Sequence, residues 1–252
     1  MATDAEPDDE GGTTRRTMLQ GFVVTSLTPG DQTALAAAML ICLLAAEGEN
    51  VAAMVPVETG IEDPCEPGSR GSLVRWAAGH LDDPRVVTPF ALEAARSTIH
   101  AADAEGTLLH AAAFERAREA LCDGRSRFVV CDAVGVLDLI TPKLTTLDLA
   151  ERWGLSPVVV EPVSRWSVGH VRLLQFALLS RDMCVAGVIL TGNELLPDVE
   201  HDFTDRIRET LAVALDCPVV VMPRVQSVHD RGDLLTAARE CGLHRIVARL
   251  AR

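Results

Sequence analysis

The chain has 252 residues, with 23 basic and 36 acidic side chains, a formal charge of −13 and no tyrosine. That charge argues against a nucleic-acid partner, because phosphate-backbone binding rests on basic surface. The length suits one domain with a large core, and an aliphatic, aromatic-poor composition fits layered α/β packing better than an aromatic-rich sandwich.

Lys143 is the only lysine, so only one ammonium group is available for any catalytic or phosphate-clamping role. Compositional bias toward arginine accounts for the rest of the positive charge. The seven cysteines are scattered, odd in number and without a CxxC pair; most lie in apolar runs, where cysteine behaves as a small buried hydrophobe. A reducing, cytoplasmic setting is expected. No apolar run reaches the length of a membrane span, and the N-terminus is acidic rather than signal-like.

Residues 1–17 read as a disordered acidic leader and residues 18–252 as a single P-loop-like α/β domain. In chain order, a short apolar strand is predicted over Gly21–Thr25 and an alanine-rich helix over Thr33–Ala46, ended by Gly48. A second strand follows over Val51–Val57, then helices around Ser72–Ala78, Ala91–Ala102 and Leu108–Leu121. Phe128–Cys131 reads as a third strand and Leu147–Trp153 as a short helix. The remainder alternates: strand Pro157–Glu161, helix Val168–Ser180, strand Met183–Leu190, helix Thr204–Leu215, strand Pro218–Met222. Helices near Asp233–Glu240 and Arg245–Leu250 close the chain. Short, continuously apolar strands between helices imply a mostly parallel sheet covered by helices on both faces. Ligands of such folds bind at the carboxyl ends of the strands.

The first of those ends carries the most informative segment, Phe22-Val-Val-Thr-Ser-Leu-Thr-Pro-Gly-Asp-Gln-Thr33. A strand, a turn-forming stretch, a terminal threonine and a helix have the layout of a phosphate-binding loop. Such a loop needs glycines, so that backbone N–H groups can close around phosphate, and a lysine for the terminal phosphates. Here Gln32 stands in the lysine position and Asp31 in that of the preceding glycine. Gln32 can donate a hydrogen bond but cannot offset charge, and Asp31 worsens the loop's potential.

Other residues carry weaker signals. His170 opens a helix after a strand end, as a ligand contact or as a capping or packed histidine. His100 and His110 sit among apolar residues without a metal-ligand partner at helical spacing. His201, Asp202, His229 and Asp230 read as charged turns. Ser164 and Ser167 lack a nucleophile elbow. Cys131, beside Asp132 at a strand end, is either a nucleophile or a buried structural thiol.

Several strand ends together resemble dethiobiotin synthetase, a P-loop ligase family. The most specific match is Val55-Pro-Val-Glu-Thr-Gly60. Looser matches are Val87–Leu92 with Ile99–Ala102, Phe128–Gly135, Leu147–Pro157, Val168-Gly-His170, Val185–Leu190 and Pro218–Pro223, so the resemblance runs from about Gly21 to Pro223.

The resemblance implies a three-layer P-loop NTPase-like fold, a homodimer, and ATP and magnesium as cofactors. It implies closure of the ureido ring of diaminononanoate with ATP and CO₂. By the same resemblance the nucleotide falls to Thr28, Gly30, Gln32, Thr33 and Asn193, magnesium to Thr33 and Asp132, and the small-molecule substrate to Glu58 and Thr59. The departures cluster on chemistry. Gln32 and Val55 replace two family lysines, Arg70-Gly-Ser-Leu73 stands where a magnesium aspartate is expected, and Asp132 is one methylene shorter than the family's acid. Losing a charged clamp on a transferring phosphoryl group costs on the order of 10³-fold in rate each time. No catalytic residue is assigned, and two functions stay open. One is a divergent ligase; the other is a non-catalytic binding or regulatory subunit of the same fold, which an altered ligand would also suit.

Overall fold

The computed structural model describes residues 19–28, 30–79, 81–192 and 201–249, apart from the side chains of Asp31 and His201. The expected acidic leader and Asn193 lie outside the described residues.

β1 (Gly21–Thr25) leads into α1 (Asp31–Ala46), β2 (Val51–Met54), β3 (Val57–Thr59), α2 (Arg70–Ala77) and α3 (Pro84–Val87). β4 (Phe90–Leu92), α4 (Thr98–Glu105), α5 (Ala111–Cys122) and β5 (Arg127–Cys131) follow. Next come β6 (Leu139–Thr141), β7 (Leu144–Thr145), α6 (Thr146–Trp153), β8 (Ser156–Pro162) and α7 (Ser167–Leu179). The last elements are β9 (Gly187–Thr191), α8 (His201–Leu215), β10 (Val219–Val221), α9 (Arg231–Glu240) and α10 (His244–Val247).

Six strands form the main sheet in the order β10-β9-β8-β1-β5-β2, and each pairing is parallel. Parallel neighbours require crossovers, and helices supply them. Alternation along the strands then divides the core. Val158 and Val160 of β8, Ile189 of β9 and Val220 of β10 join the cluster beneath α1 and α9. Val159, Val188, Leu190 and Val219 point the other way, into Val171, Leu174 and Leu178 of α7 and Ile207 and Leu211 of α8. Helix, sheet and helix make three layers, as expected.

α1 is the most enclosed helix. From Thr33 to Leu44 each residue except half-buried Leu35 is buried. Ala34, Ala36, Ala37 and Ala38 keep its surface thin, so the sheet, α2 and α9 all approach it closely.

Several boundaries differ from the sequence expectations. The strand expected over Val51–Val57 breaks at Val55 and Pro56, and β3 leaves the main sheet to pair with β4. Proline lacks the N–H that a central ladder would need. That second pairing also corrects the helix expected over Ala91–Ala102. Phe90, Ala91 and Leu92 are matched to Val57, Glu58 and Thr59, and the helix begins only at Thr98. Alanine's helix preference is a weak prior that a strand partner overrides. The helix expected from Leu108 starts at Ala111, because the His110 side chain caps it by accepting from the Ala113 amide. The strand expected from Met183 starts at Gly187, and the helix expected over Arg245–Leu250 is the short α10, with Leu250 outside the described residues. α3 and the antiparallel β6–β7 hairpin were not anticipated. No helix among the described residues is long and apolar enough to cross a membrane.

Candidate functional site

Parallel register brings the carboxyl ends of β1, β5 and β2 together, with Val24 beside Cys131 and Met54 beside Val130. Three segments leave this edge: the loop from Ser26 to Gly30, the loop from Asp132, and the turn into β3.

The first loop folds on itself. The Ser26 hydroxyl donates to the Thr28 carbonyl at 2.5 Å, and the Val136 amide donates to the Ser26 carbonyl at 3.2 Å. Gly30 precedes α1 in an extended conformation (φ −167°, ψ 163°), and its carbonyl accepts from the Thr33 amide at 3.2 Å. An added Cβ at Gly30 would meet nothing within 4 Å, so neither backbone shape nor crowding demands glycine there. Thr28 and Gln32 are exposed, whereas Thr33 is buried.

Asp132 is 1% exposed and accepts four hydrogen bonds. Its Oδ2 accepts from the Thr25 hydroxyl at 2.6 Å. Its Oδ1 accepts from the amides of Val134 and Gly135 and from the Thr146 hydroxyl, each at 3.2 Å. A carboxylate offers about two lone-pair sites on each oxygen, so the protein's own donors crowd Oδ1 and take one side of Oδ2. Gly135 can present its amide because it adopts φ +110°, which side-chain-bearing residues avoid. Burial pushes the Asp132 carboxyl above its ordinary range, against the opposing hydrogen bonds from Thr25, Val134, Gly135 and Thr146.

Glu58, 2% exposed on β3, serves the N-terminus of α2. Oε1 accepts from the Arg70 amide at 2.7 Å and Oε2 from the Gly71 amide at 3.0 Å. A carboxylate on the first amides of a helix satisfies orphan donors and meets the positive end of the helix dipole. Ser69 adds the standard cap by accepting from the Ser72 amide. Gly71 is required by contact: a Cβ there would lie 2.1 Å from the Thr88 hydroxyl and 3.6 Å from Glu58 Oε2. Thr59 is half-buried at the outer end of β3. Arg70 sends Nη1 to the Ala133 carbonyl at 3.5 Å.

Thus Thr33, Asp132 and Glu58 are all buried near one sheet edge, while Thr28 and Gln32 face solvent. Sequence reasoning missed Thr25 and Thr146, the hydroxyls that hold Asp132. Thr146 had a local signal, since Thr145 and Asp148 form a capping box at the start of α6. Arg70 was noted only as a missing carboxylate.

The remaining candidates resolve into packing and capping. Cys131 is fully buried, and burial first, then Asp132 and Glu58, push its thiol far above the ordinary range against the pull of Arg70. A thiol so held is a poor nucleophile. His170 pairs through Nδ1 with Glu161 Oε1 at 3.0 Å, and burial raises the Glu161 carboxyl against that pairing. His100 bonds to Ser97, and His229 lies edge-on to Trp76. Ser167 turns its hydroxyl to the carbonyls of Pro162 and Ser164. No group of three or more metal-ligating side chains occurs among the described residues.

The residues do not fit a magnesium nucleotide. The loop side chain at the head of α1 is an uncharged, exposed glutamine, and the buried carboxylate just after β5 already accepts four hydrogen bonds from the protein, three of them on Oδ1.

Residues 21–230 match the protein family described as an AAA domain, which agrees with a P-loop-type three-layer α/β fold. Among solved structures, a ParA family ATPase from Chlorobium tepidum superposes with a TM-score of 0.51 at 15% identity, covering 92% of this chain and 97% of that one. The MinD cell division protein of Aquifex aeolicus gives 0.50 at 12% identity, over 92% and 95%. At such identities the likeness concerns the fold alone.

The ATP-dependent dethiobiotin synthetases BioD of two strains of Anaeromyxobacter dehalogenans are 31% identical over 194 residues, covering 76% of this chain and 86% of each relative. The BioD of Rhodopseudomonas palustris is 29% identical over 141 residues, 56% of this chain and 62% of that protein. The chain belongs to the dethiobiotin synthetase family.

Proposed function

We propose that this protein belongs to biotin metabolism, keeps the dethiobiotin synthetase scaffold, and has lost most or all ATP-driven ring closure. In this reading it serves in the cytoplasm as a non-catalytic small-molecule-binding or regulatory subunit. One observation carries the proposal: the buried acid that the family resemblance assigns to magnesium, Asp132, accepts four hydrogen bonds from the protein itself, from Val134, Gly135 and Thr146 on Oδ1 and from Thr25 on Oδ2. Gln32 at the lysine position supports it, because glutamine offers no charge to a triphosphate.

A homodimer is part of the same proposal. The outward face of α7 carries Leu173, Phe176 and Leu179 at 58%, 63% and 49% exposure, with Trp166 at 60% just before it. Arg165 lies over Trp166 and Arg172 over Phe176. Aromatic side chains with arginine, on a helix free of acidic residues in a chain of net charge −13, have the composition of an interface centre. A second copy of this chain is the occupant we assign to it.

Thermal denaturation with Mg-ATP tests the function. A ligand at ~100 times its dissociation constant stabilises its protein by about 2.7 kcal/mol. Little or no shift is expected, together with no ring closure when diaminononanoate, bicarbonate and Mg-ATP are supplied. A clear shift with turnover would establish a working ligase instead. The double change Gln32→Lys with Asp31→Gly is expected to restore nucleotide binding in part; failure would place the defect in loop geometry.

A further inference from the structure

Glu161 is the only ionisable residue of β8, and its side chain is 4% exposed beneath the first turn of α7. Its one hydrogen-bond partner among the described residues is His170, whose Nδ1 lies 3.0 Å from Oε1. The His170 side chain is itself 43% exposed. A buried carboxyl is thus tied to solvent through a half-open imidazole.

His170 follows Trp166 by four positions and precedes Leu173 by three, spacings that share one side of a helix. Trp166 and Leu173 belong to the exposed face assigned above to a second copy, whereas Val171, Leu174 and Leu178 enter the core beneath the same helix. His170 therefore stands on the margin, one side on Glu161 and the other beside the apolar face. The second tie at this end of α7, from the Ser167 hydroxyl to the carbonyls of Pro162 and Ser164, does not titrate. Among the described residues no other charge is bonded to the pair. Arg165 and Arg172 lie over Trp166 and Phe176, and β9 has no ionisable side chain. On α8, which packs against α7, Asp202 pairs with Arg206 and Asp205 with Arg208, and Glu209 bonds to neither member of the pair. Beyond the far end of α7, Arg181 is held by Asp148 and Glu151 of α6.

With one proton between them, Glu161 and His170 carry no net charge. With none they carry a net negative charge, and with two a net positive one. A second copy laid over this margin removes water from it, and desolvation penalises net charge of either sign. Association therefore favours the singly protonated pair, and by linkage the proton count of the pair sets the strength of association. We propose that the Glu161–His170 pair gates the α7 interface by pH, assembly being tightest where the pair holds one shared proton and weakening on both the acid and the alkaline side. This rests on the reading of α7 as the homodimer face and adds its regulation.

Sedimentation of the full-length protein at constant ionic strength, from about pH 5 to about pH 9, covers the range over which such a pair titrates. The expected dissociation constant of the dimer passes through a minimum and rises on each limb, toward about tenfold per pH unit for each proton linked. Glu161→Gln is expected to keep the acid limb and lose the alkaline one, because only the imidazole still titrates. His170→Gln is expected to lose the acid limb and keep an alkaline one. A dimer whose dissociation constant is flat, or moves in one direction only, overturns the gate and leaves the interface standing. So does a profile that both variants leave unchanged. A monomer at every pH overturns the interface reading and the gate with it. The profile of the unaltered chain needs no variant to fold.

Discussion

Replacing Glu58 by alanine tests whether this carboxylate is a structural clamp on α2. It leaves the amides of Arg70 and Gly71 without their present acceptors at a position only 2% exposed. An unsatisfied buried donor costs about 1–3 kcal/mol, and loss of the charge at the helix head adds about 0.3–1 kcal/mol. Relief from burying a carboxylate offsets part of this, so the expected net loss is about 3–4 kcal/mol. That is a large fraction of the ~5–15 kcal/mol by which domains are typically stable. Glu58→Gln keeps the volume and one acceptor and should lose about 1–3 kcal/mol, the cost of one unmet amide. Urea unfolding measures both, read from the midpoint with the slope checked for constancy. Thr59→Ala, at the half-buried end of the same strand, should stay within about 0.5 kcal/mol as a control. If Glu58→Ala unfolds at the parent's midpoint, the clamp is not holding α2 and the assignment fails.

Other perturbations follow from the same geometry. Gly71→Ala should destabilise by about 1–3 kcal/mol through overpacking against Thr88, and Thr88→Ala should recover much of that loss in the double variant, measured as a mutant cycle. Asp132 has a raised folded-state value, so its protonated form is the one folding favours. That stabilisation is full below the unfolded value of about 3.9 and fades as pH rises through the folded value. Asp132→Asn removes the drift, so thermal melts across pH should move in the variant's favour toward neutrality; a movement toward the parent would refute the buried, metal-free carboxyl. Phe176→Glu should convert the proposed dimer into a folded monomer in sedimentation, and an unchanged dimer would show that α7 is not its interface.

Much of the fold was legible because parallel strands buried on both faces leave continuous apolar runs, as in Phe22–Val24 and Val158–Val160. The enclosed α1 was legible for a similar reason, since alanine recurs wherever neighbours press closest. The short elements were not. β3 and β4 are three residues each and exist because they pair with one another, which no local pattern records. Of the site, the segments were found but not their wiring. The turn containing Glu58 was visible, yet its partners begin twelve positions later on α2. Asp132 was visible too, but its bond to Thr25 spans 107 positions. Gln32 could be read directly, because a missing charge is a property of one residue.

The strand order also bears on how the chain is made. β1 sits between β5 and β8, whose pairing residues start at Phe128 and Ser156. During translation the first strand emerges with neither neighbour yet synthesised, and it waits through more than a hundred residues for the second. Closing such long-range contacts is slow. The apolar α1 is meanwhile uncovered, so ribosome-bound chains that stall before Ser156 are the species most exposed to aggregation and most dependent on chaperones.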